Sequence, residues 1–162
     1  MSKLLVLDFD GTITDAEVEG APFRGGYLGD VALLAGISAD EAERLAVIFE
    51  AEVAAEPDKY GWVFNGEIVA PASVDPYLRI MPIARKIFDS TGTFQNEADR
   101  TRLLDGILYK YNYKKTVMAF RAGAGEALRG LTGTNTWVVT NSHTEPVQDK
   151  IRKLDGGAGD LQ

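Results

Sequence analysis

The chain has 162 residues, enough for one good core or for a small core plus an insertion. Its formal net charge of −7 argues against a general nucleic-acid binder, which needs cationic surface for phosphates. It contains no cysteine, which excludes disulfides, thiolate metal sites and cysteine nucleophiles, and its first apolar run is too short for a signal peptide or a membrane span; a soluble, cytoplasmic protein is expected.

Leu4-Leu5-Val6-Leu7 leads straight into Asp8-Phe9-Asp10-Gly11-Thr12. An uninterrupted apolar run predicts a strand buried on both faces of a parallel sheet. Such sheets bind ligands beyond the carboxyl ends of their strands, where Asp8 and Asp10 fall. If the extended geometry continues, residues two apart point the same way. Two crowded carboxylates are costly in an interior unless their charge is offset. A divalent cation would offset it, since hard cations take carboxylate oxygens. Gly11 permits a tight turn, and Thr12 and Thr14 add hydroxyls. Two aspartates that merely cap a turn are the plainer alternative.

Gly20, Pro22, Gly25 and Gly26 punctuate the next stretch, which reads as a loop. It carries Arg24, either solvated or within reach of an anionic substrate. Tyr27 to Ala35 has a helical rhythm that ends at Gly36. Ser38 and Glu41 fit a capping box for a helix from Ala39 to about Glu56, stopped by Pro57. Trp62 to Val69 reads as a hairpin, with Asn65-Gly66 favouring a type I′ turn. Trp62 and Phe64 either line a pocket or anchor the hairpin to the helices, and anchoring is the expected job.

Ser73-Val74-Asp75-Pro76 predicts a helix start, with the helix running to Phe88 and kinked or divided at Pro82. Asn96 caps a further helix from Glu97 to about Tyr111. Tyr109 to Lys115 interleaves aromatics and bases. Basic residues there complement the helix dipole, with base stacking as the alternative. Gly123 opens a helix rather than a phosphate cradle, because Leu128 stands where a dinucleotide fingerprint needs a small residue. Thr136 to Val139 reads as a strand ending in Thr140-Asn141-Ser142. His143, the lone histidine, either contacts substrate or is a bystander. A helix from Glu145 to Leu154 follows.

Asp8-Phe9-Asp10-Gly11-Thr12 after a hydrophobic strand resembles motif I of the haloacid dehalogenase-like (HAD) superfamily, and Thr136 to Ser142 resembles its motif II. The resemblance implies an α/β fold: a HAD-like Rossmannoid three-layer core with a parallel sheet, built from residues 1–19 and 116–162. A mainly helical C1-type cap at residues 20–115 would interrupt it. The resemblance also implies Asp8 as nucleophile, Asp10 as general acid/base, Thr140 and Asn141 as phosphate-binding residues, and Mg2+ held by Asp8 and Asp10. A carboxylate nucleophile splits a hard displacement into two easier steps, a second acid serves the leaving group and then water, and the metal neutralises phosphoryl charge. The implied function is a Mg2+-dependent phosphohydrolase acting on a small phosphorylated metabolite through an aspartyl-phosphate, with no nucleic-acid or membrane partner. Asp10 favours a phosphatase, because dehalogenases of the superfamily lack that acid.

Two further family motifs bear on the expectation. The lysine that balances phosphate charge has stand-ins only in Lys150 and Lys153. The later strand end with acidic metal ligands has none, since Asp155 and Asp160 sit in a glycine-rich stretch rather than after an apolar strand. The alternative expectation is a truncated or degenerate HAD-like domain without turnover, serving as a binding or assembly module. Its incomplete sheet would leave an edge that invites homodimerisation or association with a missing C-terminal fragment.

Overall fold

The computed structural model of the chain describes residues 4–111, 116–140 and 142–155. Among them the architecture is mixed α/β, with six α-helices, one two-stranded parallel sheet and one two-stranded antiparallel sheet. The chain divides into two compact units, Met1–Glu19 with Met118–Gln162, and Gly20–Val117. No helix among the described residues is long and apolar enough to cross a membrane.

In the first unit, β1 (Leu5–Asp8) pairs in parallel with β4 (Thr136–Val139), Leu5 opposite Thr136 and Asp8 opposite Val139. Alternation puts Leu7 and Val138 on one face and Val6, Trp137 and Val139 on the other. Val138 packs with the buried Phe9, Ile13 and Val147, and with Leu128, Ile151 and Leu154. Leu128 comes from α5 (Ala124–Gly130), which opens at Gly123 in a left-handed conformation (φ 79°). Val147, Ile151 and Leu154 come from α6 (Thr144–Leu154). The expectation of a strand buried on both faces is not met. Val6 is 54% exposed and Trp137 63%, because among the described residues the helices pack on one face of the sheet only.

The second unit is organised by α1 (Ala16–Ala35), α2 (Ala39–Ala55), α3 (Pro76–Thr91) and α4 (Glu97–Tyr111). Phe23, Tyr27 and Val31, one helical turn apart, are fully buried with Val53, Ile80, Ile83, Ile87, Phe88 and Leu104. Burial pushes the Tyr27 phenol well above its usual range, with the nearby Asp105 adding to the effect. Its hydroxyl donates to the Leu104 carbonyl at 3.0 Å.

Residues 20–26, expected as a loop, are helical instead. Two of the glycines, Gly20 and Gly26, serve close approach rather than turning. A Cβ at Gly20 would sit 3.1 Å from Pro76, and one at Gly26 would sit 2.9 Å from the Tyr111 ring. Packing of this kind overrides the weak helix propensity of glycine and proline. Arg24 is therefore a helical residue, and it is paired with Glu43 at 2.8 Å and Glu50 at 3.7 Å. The same reasoning covers Pro82, which lies inside α3 without dividing it, on a helix whose Ile80, Ile83 and Ile87 are buried.

The helix starts follow local chemistry. Ser38 accepts from the Glu41 N–H at 3.1 Å and Asn96 from the Asp99 N–H at 3.1 Å. Asp75 caps α3 by accepting from Tyr77 and Leu78, with Pro76 in the first position. At its far end α3 is closed by Gly92 in a left-handed conformation. At the end of α4, Lys110 and Tyr111 both bond Asp30, at 2.6 and 3.0 Å; residues 112–115 of the aromatic and basic run lie outside the described residues.

Between α2 and α3, β2 (Gly61–Phe64) and β3 (Glu67–Pro71) form the antiparallel hairpin. Asn65 and Gly66 both have positive φ, 52° and 84°, as a type I′ turn requires. Trp62 and Phe64 do not anchor it to the helices. They are 60% and 61% exposed; it is the hairpin's base, Tyr60 and the buried Ala72, joined by an Ala72 N–H to Tyr60 carbonyl bond of 2.9 Å, that packs with the helical core.

Two glycines of α1 give opposite expectations. Nothing lies within 4 Å of a Cβ at Gly25, so Gly25→Ala should raise stability by about 0.5–1 kcal/mol. Gly26→Ala meets the Tyr111 ring and should forfeit that gain or reverse it. Urea denaturation of the two variants checks this, and equal gains at both positions would contradict it.

Candidate functional site at the ends of the parallel strands

The parallel register places the carboxyl ends of β1 and β4 side by side, Asp8 opposite Val139. Asp8 is the last residue of β1, and its side chain is exposed. The chain then leaves the extended conformation, so the period of two does not carry to Asp10. Ile13 and Thr14 both return their N–H groups to the Phe9 carbonyl, at 2.9 and 3.2 Å, which closes residues 9–14 into one turn. Gly11 takes φ 80° within it. The Thr14 hydroxyl, fully buried, accepts from the Gly11 N–H at 3.1 Å. The Thr12 hydroxyl donates to Asp8 Oδ2 at 3.1 Å.

Asp10 is the most heavily contacted carboxylate of this end. Its Oδ2 accepts from the Thr140 hydroxyl at 2.9 Å and from the Ser142 hydroxyl at 2.7 Å. The Ser142 N–H in turn donates to Thr140 Oγ1 at 3.0 Å, fixing which way that hydroxyl points. Two segments 130 residues apart in sequence are thereby joined through one carboxylate oxygen. Asn141, the other expected phosphate-binding residue, lies outside the described residues. Ser142 was not singled out by the sequence, although it stands two positions after Thr140.

A cation completes the cluster. Lys150, from α6, sits 2.8 Å from Glu19 Oε2 and 3.7 Å from Asp10 Oδ1, with its ammonium 5.8 Å from the centre of the Phe9 ring. Of the two lysines considered as stand-ins, Lys150 is at this end, while Lys153 is exposed one turn further on. Glu19, a first-turn residue of α1, is 5% exposed and also accepts from the Ala119 N–H at 3.3 Å. Nothing in the pattern around Glu19 signalled a role, because its partners Lys150 and Ala119 lie 131 and 100 residues away in sequence. His143 is exposed and immediately precedes α6 without capping it through its side chain.

The donor set fits a hard divalent cation in kind but is small. Asp8 and Asp10 supply two carboxylates, and among the described residues no group of three or more His, Cys, Asp or Glu gathers. Mg2+ is commonly held by one or two carboxylates together with water and substrate phosphate, so two suffice for that ion.

Lys150 is the counter-charge for a buried Glu19. Lys150→Met should cost about 3 kcal/mol of unfolding free energy by leaving Glu19 unpaired. Adding Glu19→Gln should restore part of the loss. Denaturation of the two singles and the double measures the coupling, and additive losses would contradict it.

Compared with known proteins, the chain matches no family model, no curated protein and no solved structure.

Proposed function

We propose that the chain is a HAD-like, Mg2+-dependent phosphohydrolase, with the unit of 1–19 and 118–162 as its Rossmannoid core and residues 20–117 as its cap. The observation that carries the reading is the bond between Asp10 and Thr140, 2.9 Å long, which joins the residues that resemble motif I and motif II at the carboxyl ends of two parallel strands. That end is where open α/β sheets bind ligands.

The chemistry follows from the side chains present. An Asp8 oxygen attacks the phosphorus of a small phosphomonoester, the bond from phosphorus to the alcohol oxygen breaks, and Asp10 gives its proton to the departing oxygen. The resulting aspartyl-phosphate is opened by water, from which Asp10 takes a proton, so that phosphate leaves and the Asp8 carboxylate is restored. Thr140 orients Asp10 in the free protein and, with substrate bound, donates to a phosphoryl oxygen. Lys150 supplies positive charge next to Asp10 as negative charge builds on the phosphoryl group. Asp8 and Asp10 would hold a Mg2+ ion, which would supply charge neutralisation for the phosphoryl oxygens.

The small carboxylate set favours one rival: a HAD-like domain that binds phosphate without turning it over. The two readings part on hydrolysis of an aryl phosphate. The first expects metal-dependent release that is abolished by Asp8→Asn and lowered by about 10²–10⁴-fold by Asp10→Asn. Saturable phosphate binding with no release, and no change on adding Mg2+, would replace it with the second.

A further inference from the structure

Arg121 is clamped to the turn that carries the two aspartates. Its backbone N–H donates to the Ile13 carbonyl at 3.0 Å, and its side-chain Nε donates to the Gly11 carbonyl at 2.7 Å. The adjoining residues hold the same segment, Phe120 bridging Thr14 and the Ala119 carbonyl accepting from Asp15. The guanidinium is thus fixed against the residue that follows Asp10, while its side chain remains exposed. Two other cations of this unit are paired, Lys150 with Glu19 and Asp10 and Arg152 with Asp149, whereas Arg129 and Lys153 are exposed on helices and do not touch the turn that carries the aspartates. Among the described residues no carboxylate pairs with Arg121, and its two Nη groups keep their fork of donors. A fixed, planar, unpaired fork matches the two oxygens of a carboxylate or a phosphate. In a chain of net charge −7, a cation held on the Gly11 carbonyl, one residue after Asp10 in sequence, is suited to draw in an anion that the surrounding surface repels.

We propose that Arg121 forms a second anion subsite beside Asp8 and Asp10, so that the substrate carries a further oxyanion, a carboxylate or a second phosphate, a short chain away from the phosphoryl group. This rests on the reading of Asp8 and Asp10 as the phosphoryl site. Its substrate class is a small phosphomonoester with an anionic far end rather than a neutral one. Nε stays on Gly11, so the loop geometry is kept while the outer edge of the guanidinium receives the ligand.

The test uses non-hydrolysable phosphonates, so that it is independent of turnover. Calorimetric binding with Mg2+ is compared for propylphosphonate, 3-phosphonopropionate and propane-1,3-bisphosphonate on the full chain and on Arg121→Met and Arg121→Lys. The expected result is about tenfold tighter binding of at least one doubly anionic ligand than of propylphosphonate. That preference should vanish in Arg121→Met and be partly kept in Arg121→Lys, while propylphosphonate binding, which reports an intact loop, stays within twofold. The tighter of the two doubly anionic ligands names the second group. Equal affinity for all three ligands, or a loss shared by all three in Arg121→Met, overturns the subsite and leaves Arg121 as a loop staple. Failure of propylphosphonate itself to bind the unaltered chain overturns the phosphoryl-site reading and the subsite with it.

Discussion

The parallel pairing of β1 with β4 is the constraint on which the candidate site depends. Parallel neighbours cannot be joined by a tight turn and need a crossover. Here the chain between the two strands is long enough to contain the entire second unit. The four-residue register from Leu5/Thr136 to Asp8/Val139 brings Asp8 and Thr140 to one end of the sheet. A slip of one residue would reverse the faces of β4, turning Val138 out of the cluster with Phe9 and Val147. Packing of α5 and α6 against one face therefore sets the register, and the register sets the site.

Charge balance is the second organising element. Asp10 and Glu19 set two carboxylates against Lys150, and Asp8 ends the strand that leads into the same turn. Hydrogen bonding does much of the compensation: Thr12 serves Asp8, Thr140 and Ser142 serve Asp10, and the Ala119 N–H serves Glu19. Under the proposed function this economy has a direct use. The hydroxyls and the lysine that hold the free aspartates are the groups that would meet a phosphoryl dianion.

Local signals with a single physical meaning were legible in the sequence. Ser38 and Asn96 cap their helices, Asn65-Gly66 turns the hairpin, and Gly123 opens α5, because each depends on a few neighbouring atoms. Residues 20–26 were not, because glycine has two uses and sequence does not say which applies. At Gly20 and Gly26 the missing Cβ makes room for Pro76 and Tyr111, contacts more than fifty residues away. Trp62 and Phe64 misled in the other direction, since aromatic character does not reveal which side of a hairpin faces the helices. At the site, Asp8 and Asp10 stood out by their place where the first strand was expected to end, and Thr140 through the resemblance to motif II. Glu19 and Arg121 did not, because their roles come from a segment 100 residues distant in the first case and 110 in the second.

The proposed function turns on covalent chemistry at Asp8. The most direct measurement is acid quenching of the protein during reaction with a phosphomonoester and Mg2+, followed by borohydride reduction and mass spectrometry of the peptide containing residue 8. An aspartyl-phosphate is reduced to homoserine, so the account predicts homoserine at position 8 only when substrate is present, and none in Asp8→Asn. Phosphate release with an unaltered residue 8 would contradict it.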